Sequence, residues 1–147
     1  MTQETNLPKI VTAKNTPGTI LTQLEIRNHV IRCDEEPLYE GNDEAPDPYD
    51  YVIAAVGSCT AFSLRLFAQK RGWDIGEIVI ILTYDFIDGE DVVKKEISFT
   101  GDLTDEQREE LLRVAHCQTE KMLERGMKIT NTIVTKKIKQ IIDPRFY

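Results

Sequence analysis

One helix constrains this chain more than any other segment. Residues 51–64 carry no charge, and apolar side chains occur on every side of a helical projection. Asp47 is a favourable N-cap, and Pro48 suits the first helical position. Gly72 is placed to end the helix in a left-handed conformation. The sequence therefore predicts a helix over residues 48–71 whose faces both pack against protein.

A bilayer-spanning helix is the alternative interpretation of this segment. A span needs about 20 predominantly apolar residues. The uncharged run is shorter, contains Ser58, Thr60 and Ser63, and is closed by Arg65. These features favour the core helix of a soluble protein.

Length and charge narrow the class of protein. A chain of 147 residues is expected to form one domain, residues 1–147. The N-terminus has no basic region followed by an apolar run, so no signal peptide is predicted, and a cytoplasmic location is expected. The net charge is −7. Many acidic residues lie in one segment: Asp34, Glu35, Glu36, Glu40, Asp43, Glu44, Asp47 and Asp50. Such a segment repels nucleic acid and anionic lipid, so neither is an expected partner.

The remaining elements follow from turn signals and periodicity. Short β-rich runs on both sides of Pro17-Gly18, followed by a third run, predict a three-stranded antiparallel meander. Two runs around Asp88-Gly89 predict a hairpin. Thr104 and Gln107 form a capping box before a helix predicted over Asp105–Arg125. A final strand is predicted over Ile129–Ile141.

The element order is therefore three strands, a helix, two strands, a helix and a strand. Strands that come in blocks favour an α+β fold over a doubly wound α/β fold. A helix that is apolar on all sides needs cover on both faces, and one small sheet covers only one. We therefore predict an intertwined homodimer in which a second copy supplies the rest.

The cysteines are sparse and odd in number: Cys33, Cys59 and Cys117. In a cytosolic chain they suggest free thiols or a redox pair more than a disulfide framework. Each could also be a small buried apolar residue, and Cys33 is interpreted in that way. The spacing of histidines and cysteines predicts no zinc site, and no phosphate loop or dinucleotide motif occurs, so no cofactor is expected.

Several segments resemble the OsmC/Ohr family of thiol-dependent peroxidases, and most closely its OsmC-like branch. They are His29–Glu35, Pro46–Tyr49, Ala54–Ala61, Arg71–Trp73, Asp105–Arg108, Leu111-Leu112 and Ala115–Cys117. The resemblance covers nearly the whole chain and implies an intertwined dimer. It also implies that Cys59 attacks an organic hydroperoxide and that Cys117 resolves the sulfenic acid as a disulfide. Lipoylated proteins or small dithiols would then reduce that disulfide.

The chain departs from the family in the groups around the thiol. Family members use an arginine from the first hairpin, oriented by a glutamate after the helix-starting proline; here the hairpin offers Lys14, and Tyr49 follows Pro48. Arg27, Arg32, Arg65 and His116 are the alternative basic groups.

Two other functions stay open beside the peroxidase. One is a non-catalytic dimer that binds a small apolar ligand. The other is a redox sensor in which oxidation of the thiols changes the oligomeric state.

Overall fold

A computed structural model describes residues 8–134 of the chain. They fall into two units, residues 8–48 with 130–134 and residues 49–129, which are described in turn. In the first unit, β1 (Val11–Asn15), β2 (Thr22–Ile26) and β3 (His29–Cys33) form an antiparallel sheet in the order β1-β2-β3. This is the predicted meander. The division into two compact units does not test the prediction of a single domain, which stays a prediction.

The acidic segment that follows β3 is built around one buried carboxylate. Asp34 is only 3% exposed. Its Oδ2 accepts the N–H of Asn42 over 3.2 Å and that of Glu44 over 3.0 Å. Backbone hydrogen bonds from Glu44 and Glu35 are the main reason that the pKa of Asp34 lies below its ordinary value of 3.8. Most of the other acidic side chains in the segment are exposed. The segment is therefore an organised loop with a charged surface.

The second unit contains most of α1 (Pro48–Arg71), then β4 (Ile78–Ile87), β5 (Glu90–Phe99), α2 (Asp105–Val114) and α3 (Gln118–Arg125). β4 and β5 form the predicted hairpin, paired antiparallel from Ile78 with Phe99 to Ile87 with Glu90. Residues Asp88 and Gly89 connect them with positive φ angles of 52° and 85°, as the favoured two-residue turn requires.

Helix α1 has the predicted ends. The N–H of Gly72, whose φ is +68°, donates to Gln69, and the N–H of Trp73 donates to Ala68, which is a Schellman C-cap. By length and hydropathy alone this helix could span a bilayer, a test that core helices of soluble proteins also pass. In the middle of the helix, a Cβ on Gly57 would lie 2.8 Å from Cδ1 of Leu82. The glycine therefore lets α1 lie close to β4.

One stripe of α1 faces the core of this unit. Its buried residues recur every fourth position: Val56, Thr60, Leu64 and Ala68. Leu64 and Ala68 form a buried cluster with Ile75, Leu111 and Ala115. Outside this stripe α1 exposes large apolar side chains, including Phe62, which is 66% exposed. The sequence predicts that protein covers both faces of α1. The described residues of the chain cover one face.

The α+β class and the order β3-α-β2 are confirmed. The last predicted strand, Ile129–Ile141, is wrong for residues 129–134, which form no strand. Its remaining residues, 135–141, lie outside the described part of the chain. In the described range the strands form two separate sheets, of three and two strands.

Candidate active site

The helix predicted over Asp105–Arg125 is interrupted at Cys117. The capping box at Thr104 and Gln107 starts α2 as expected. The helix then stops, and three residues separate α2 from α3. Cys117 has extended backbone angles, φ −80° and ψ 170°, and is the N-cap of α3. The prediction of one continuous helix is therefore wrong, and the break places Cys117 at a helix N-terminus.

Tertiary hydrogen bonds explain the break. In a continuous helix the Ala115 carbonyl would accept the N–H of Thr119. Instead, Nζ of Lys95 on β5 donates to that carbonyl over 2.7 Å. The N–H groups of Gln118 and Thr119 are hydrogen-bonded to the thiol of Cys59 on α1. Partners from two other elements thus replace the hydrogen bonds that would have continued the helix.

The same hydrogen bonds control the ionisation of Cys59. Burial raises the pKa of this half-buried thiol. Hydrogen bonds from the hydroxyl and N–H of Thr119, from the Cys117 thiol and from the N–H of Gln118 outweigh burial, so the pKa lies below its ordinary value of 9.0. The thiolate is therefore favoured by donors at the start of α3 rather than by the dipole of its own helix.

Cys117 lies directly beside Cys59. It is 3% exposed, and its thiol is hydrogen-bonded to Cys59. Its Sγ is 3.6 Å from Oγ1 of Thr60 and 3.8 Å from the carbonyl oxygen of Val56. Cys59 and Cys117 are both free thiols. The fold thus brings together the two cysteines that the sequence singles out, one on α1 and one at the start of α3.

A largely buried lysine lies behind the two thiols. The side chain of Lys95 is 14% exposed, and its Nζ donates to Glu120 over 2.6 Å, to Ala115 over 2.7 Å and to Oγ1 of Thr60 over 3.2 Å. Thr60 is fully buried and also donates to the Val56 carbonyl over 2.8 Å. Each hydrogen of the ammonium therefore has an acceptor, as a buried charge requires.

A cavity of about 500 Å³ lies next to this arrangement. Two of its lining residues connect it to the thiols. The carbonyl of Val56 contacts Sγ of Cys117, and Nζ of Lys95 contacts Thr60, the residue after Cys59. Its other lining residues are Tyr49, Val52, Ile53, Tyr84, Asp91, Val93, Glu120, Leu123 and Glu124. The Tyr84 hydroxyl donates to Asp91 over 2.7 Å, and this hydrogen bond raises the pKa of Tyr84 to about 12. The cavity is thus lined by apolar side chains and by three acidic ones, and it is large enough for a small molecule.

The basic groups that the sequence offered as thiol partners have other contacts. Lys14 pairs with Glu25 over 2.7 Å in the first unit. Arg32, in the same unit, lies 3.7 Å from Glu44. In the second unit Arg65 donates to the carbonyl of Gly76, and Nε2 of His116 lies 2.9 Å from Glu124. Arg27 lies in the turn after β2 with a φ of 54°. Cys33, for which the sequence predicts a structural role, is half-buried at the end of β3.

His116, Glu120 and Glu124 place potential metal-ligand atoms within 4.8 Å of one another. Both carboxylates are already paired, Glu120 with Lys95 and Glu124 with His116. The cluster therefore gives no reason to assign a metal.

Three site residues escaped the sequence analysis: Lys95, Thr60 and Thr119. One of them left a signal in the sequence. Lys95 alternates with Ile97 and Phe99 on the half-buried face of β5, and a lysine in such a series needs a buried partner. Thr60 and Thr119 left no comparable signal, because their partners come from elements distant in the chain.

Comparisons with known proteins place this site in a family. A family model described as "OsmC-like protein" matches residues 41–132, which include both thiols and Lys95. The chain belongs to the OsmC-like family.

Solved structures agree with this assignment at the level of the fold. The OsmC-like protein of Mycoplasma pneumoniae is 12% identical with a TM-score of 0.64, covering 81% of this chain and 89% of that one. The organic hydroperoxide resistance protein OsmC of Legionella pneumophila is 15% identical with a TM-score of 0.60, covering 78% and 87%. The organic hydroperoxide resistance protein OhrB of Bacillus subtilis is 18% identical with a TM-score of 0.53, covering 78% and 88%. No curated protein sequence matches this OsmC-like protein.

Proposed function

We propose that this OsmC-like protein reduces organic hydroperoxides with Cys59 as the attacking thiol and Cys117 as the resolving thiol. One observation carries the proposal: Sγ of Cys117, at the N-terminus of α3, lies 3.6 Å from Oγ1 of Thr60, the residue after Cys59 on α1. Hydrogen bonds from the same helix terminus lower the pKa of the Cys59 thiol. A thiolate is the nucleophile in such chemistry, and a second thiol within reach traps its oxidation product. The family includes proteins of organic hydroperoxide resistance, which agrees with this choice of substrate.

The proposed reaction has three steps. The Cys59 thiolate attacks the distal peroxide oxygen; an S–O bond forms, the O–O bond breaks, and the alkoxide takes up a proton to leave as an alcohol. The Cys117 thiol then attacks the sulfur of the Cys59 sulfenic acid; an S–S bond forms, and the hydroxyl leaves with the thiol proton as water. A dithiol of the lipoyl type reduces the disulfide to two thiols and is itself oxidised to a disulfide.

Mass spectrometry of the reduced protein after one equivalent of cumene hydroperoxide tests the proposal. We expect a loss of two hydrogens that maps to a Cys59–Cys117 disulfide. In Cys117→Ser we expect sulfenic acid or higher oxidation at Cys59, and in Cys59→Ser an unmodified Cys117. Cys33→Ser is the matched control and should behave like the parent. Thiols that stay unmodified after many equivalents would reject peroxide reduction.

Binding of a small ligand without catalysis is the second candidate, and the cavity favours it. A volume of about 500 Å³ is within the range of small-molecule sites. If the thiols do not react, native mass spectrometry of the purified protein would look for a retained small molecule. A cavity that retains none and binds no apolar probe would reject this function as well.

We further propose that the protein is a homodimer of the cytoplasm. The supporting observation is the exposed apolar surface of α1 and β4, where Phe62 is 66% and Ile81 is 58% exposed. Apolar surface of this kind is typical of an interface with a second copy. Light scattering should give twice the mass of one chain. We expect Phe62→Lys to dissociate the dimer and the control Phe86→Lys, at a residue 63% exposed beside the β4–β5 turn, to leave it intact. A parent protein that runs as a monomer would refute the dimer.

A further inference from the structure

We propose that Lys95 is a positioning residue that keeps the break between α2 and α3 open and so holds both thiols in their working arrangement. The lysine lies on β5 and does not belong to the helices that it acts on. Its effect on catalysis rests on the proposed function, whereas its effect on the helix break does not.

Lys95 competes with the helix backbone for one carbonyl. The Ala115 carbonyl has two potential donors, Nζ of Lys95 at 2.7 Å and, in a continuous helix, the N–H of Thr119. In the structure the lysine is the donor to this carbonyl, and the Thr119 N–H is hydrogen-bonded to the Cys59 thiol instead. The ammonium thereby supports a hydrogen bond that it does not itself make.

Lys95 is also anchored on both sides of the break. Ala115 precedes the break, Glu120 lies in the first turn of α3, and Thr60 lies on α1 beside Sγ of Cys117. A single ammonium thus connects the end of α2, the start of α3 and the helix that carries Cys59. Movement of α3 towards a continuous helix would break this set of hydrogen bonds.

Removal of the lysine has a definite structural consequence. Without it, the Ala115 carbonyl would lack the lysine as its donor, and the donor that a continuous helix would supply is the N–H of Thr119. Formation of that bond would extend α2 towards α3, take a donor away from Cys59 and change the extended backbone of Cys117. Lys95 from β5 pairs with Glu120 of α3, and His116 within the break contacts Glu124. Lys95→Met leaves the Glu120 carboxylate without its partner, and that negative charge also disfavours a nearby thiolate. A variant that keeps this charge change but restores the break therefore separates the geometric effect from the electrostatic one.

The test compares Lys95→Met with Lys94→Met, which removes the exposed neighbour of the same type. The rate of alkylation of Cys59 by iodoacetamide is followed by peptide mass spectrometry between pH 5 and pH 10. We expect Lys95→Met to slow alkylation at neutral pH by about threefold and to move its midpoint to higher pH. The loss of one donor to a charged acceptor makes the thiolate about tenfold scarcer, and the greater nucleophilicity of the more basic thiolate recovers about threefold. Lys94→Met should match the parent. A folded Lys95→Met protein with parental alkylation would overturn the proposal.

A double variant separates the helix break from a general loss of stability. Proline suits the first position of a helix and cannot continue a helix that precedes it, and the extended backbone of Cys117 is what the residue before a proline prefers. Lys95→Met with Gln118→Pro should therefore restore the break without the lysine. Although the proline removes the Gln118 N–H, Thr119 again has Cys59 as its acceptor, and we expect most of the alkylation rate to return.

The outcomes are distinct. Alkylation by the double variant that is no faster than by Lys95→Met would reject the positioning role. If neither variant folds, Lys95 serves the stability of the core, and the proposal is wrong. Hydroperoxide is not used in this test. A protein that does not react with peroxides but follows the predicted alkylation pattern would refute the peroxidase and leave the role of Lys95 standing.

Discussion

Replacement of Thr119 by valine tests how Cys59 is ionised. Valine keeps the shape of the side chain and the backbone N–H but removes the hydroxyl, which is one of the hydrogen-bond donors to the Cys59 thiol. A hydrogen bond to a charged group is worth about 1.5–3 kcal/mol. Because Cys59 is only half-buried, we take the lower end, about 1.5 kcal/mol, which corresponds to about a tenfold smaller thiolate population below the midpoint.

The observable rate should fall by less than the thiolate population. A more basic thiolate is a stronger nucleophile, with a Brønsted coefficient of about 0.4–0.5 in thiol exchange, which recovers about threefold. We therefore expect alkylation of Cys59 to slow by about threefold at neutral pH and to reach its plateau at higher pH. Alkylation with iodoacetamide, read by peptide mass spectrometry, keeps Cys117 in place during the measurement. Thr119→Ser retains the hydroxyl and should match the parent. A valine variant with an unchanged profile would show that the hydroxyl does not stabilise the thiolate.

Three further predictions concern the substrate, the acidic loop and the core. The acidic and basic side chains that line the cavity are Asp91, Glu120 and Glu124 against one Lys95, so they carry three negative charges and one positive charge, a net of −2. If the protein is a peroxidase, methyl linoleate hydroperoxide should therefore oxidise Cys59 about tenfold faster than the anionic free acid at low salt, and added salt should narrow the ratio; equal rates would contradict this. The pKa of Asp34 is lowered in the fold, so its carboxylate stabilises the protein above the ordinary value of 3.8, and this stabilisation is lost as the pH falls through the lowered pKa. Asp34→Asn should accordingly reduce the urea midpoint at pH 6 and have less effect at pH 3, and an equal effect at both would refute the role of the charge. Leu64 is fully buried, and Leu64→Ala should lower the free energy of unfolding by about 2–5 kcal/mol in urea titrations, whereas a loss below 1 kcal/mol would show that the site collapses around the cavity.

The thiol pair shows which features of the site could be predicted from the sequence. The resemblance selected Cys59 and Cys117, and the helix signals placed Cys59 within α1 as the structure has it. The same kind of signal failed around Cys117, because the apolar spacing continues from α2 into α3 while the backbone does not. The search for a cation also failed, since it concentrated on the first hairpin and on arginines, and the groups that lower the pKa of Cys59 are hydroxyl, thiol and N–H donors.

The sequence by itself determined the local elements of this protein. The ends of α1, the three-stranded meander and the β4–β5 hairpin depend on caps, turns and short-range periodicity, which act between residues near one another in the chain. Tertiary structure alone decided where α2 ends, because the competitor for the Ala115 carbonyl comes from β5. It also decided the ionisation of Cys59, because the donors on α3 reach that thiol only after the chain has folded. The physical reason is the same in both cases: a hydrogen bond between elements distant in the chain replaces a local one, and a local pattern cannot show which of the two will form.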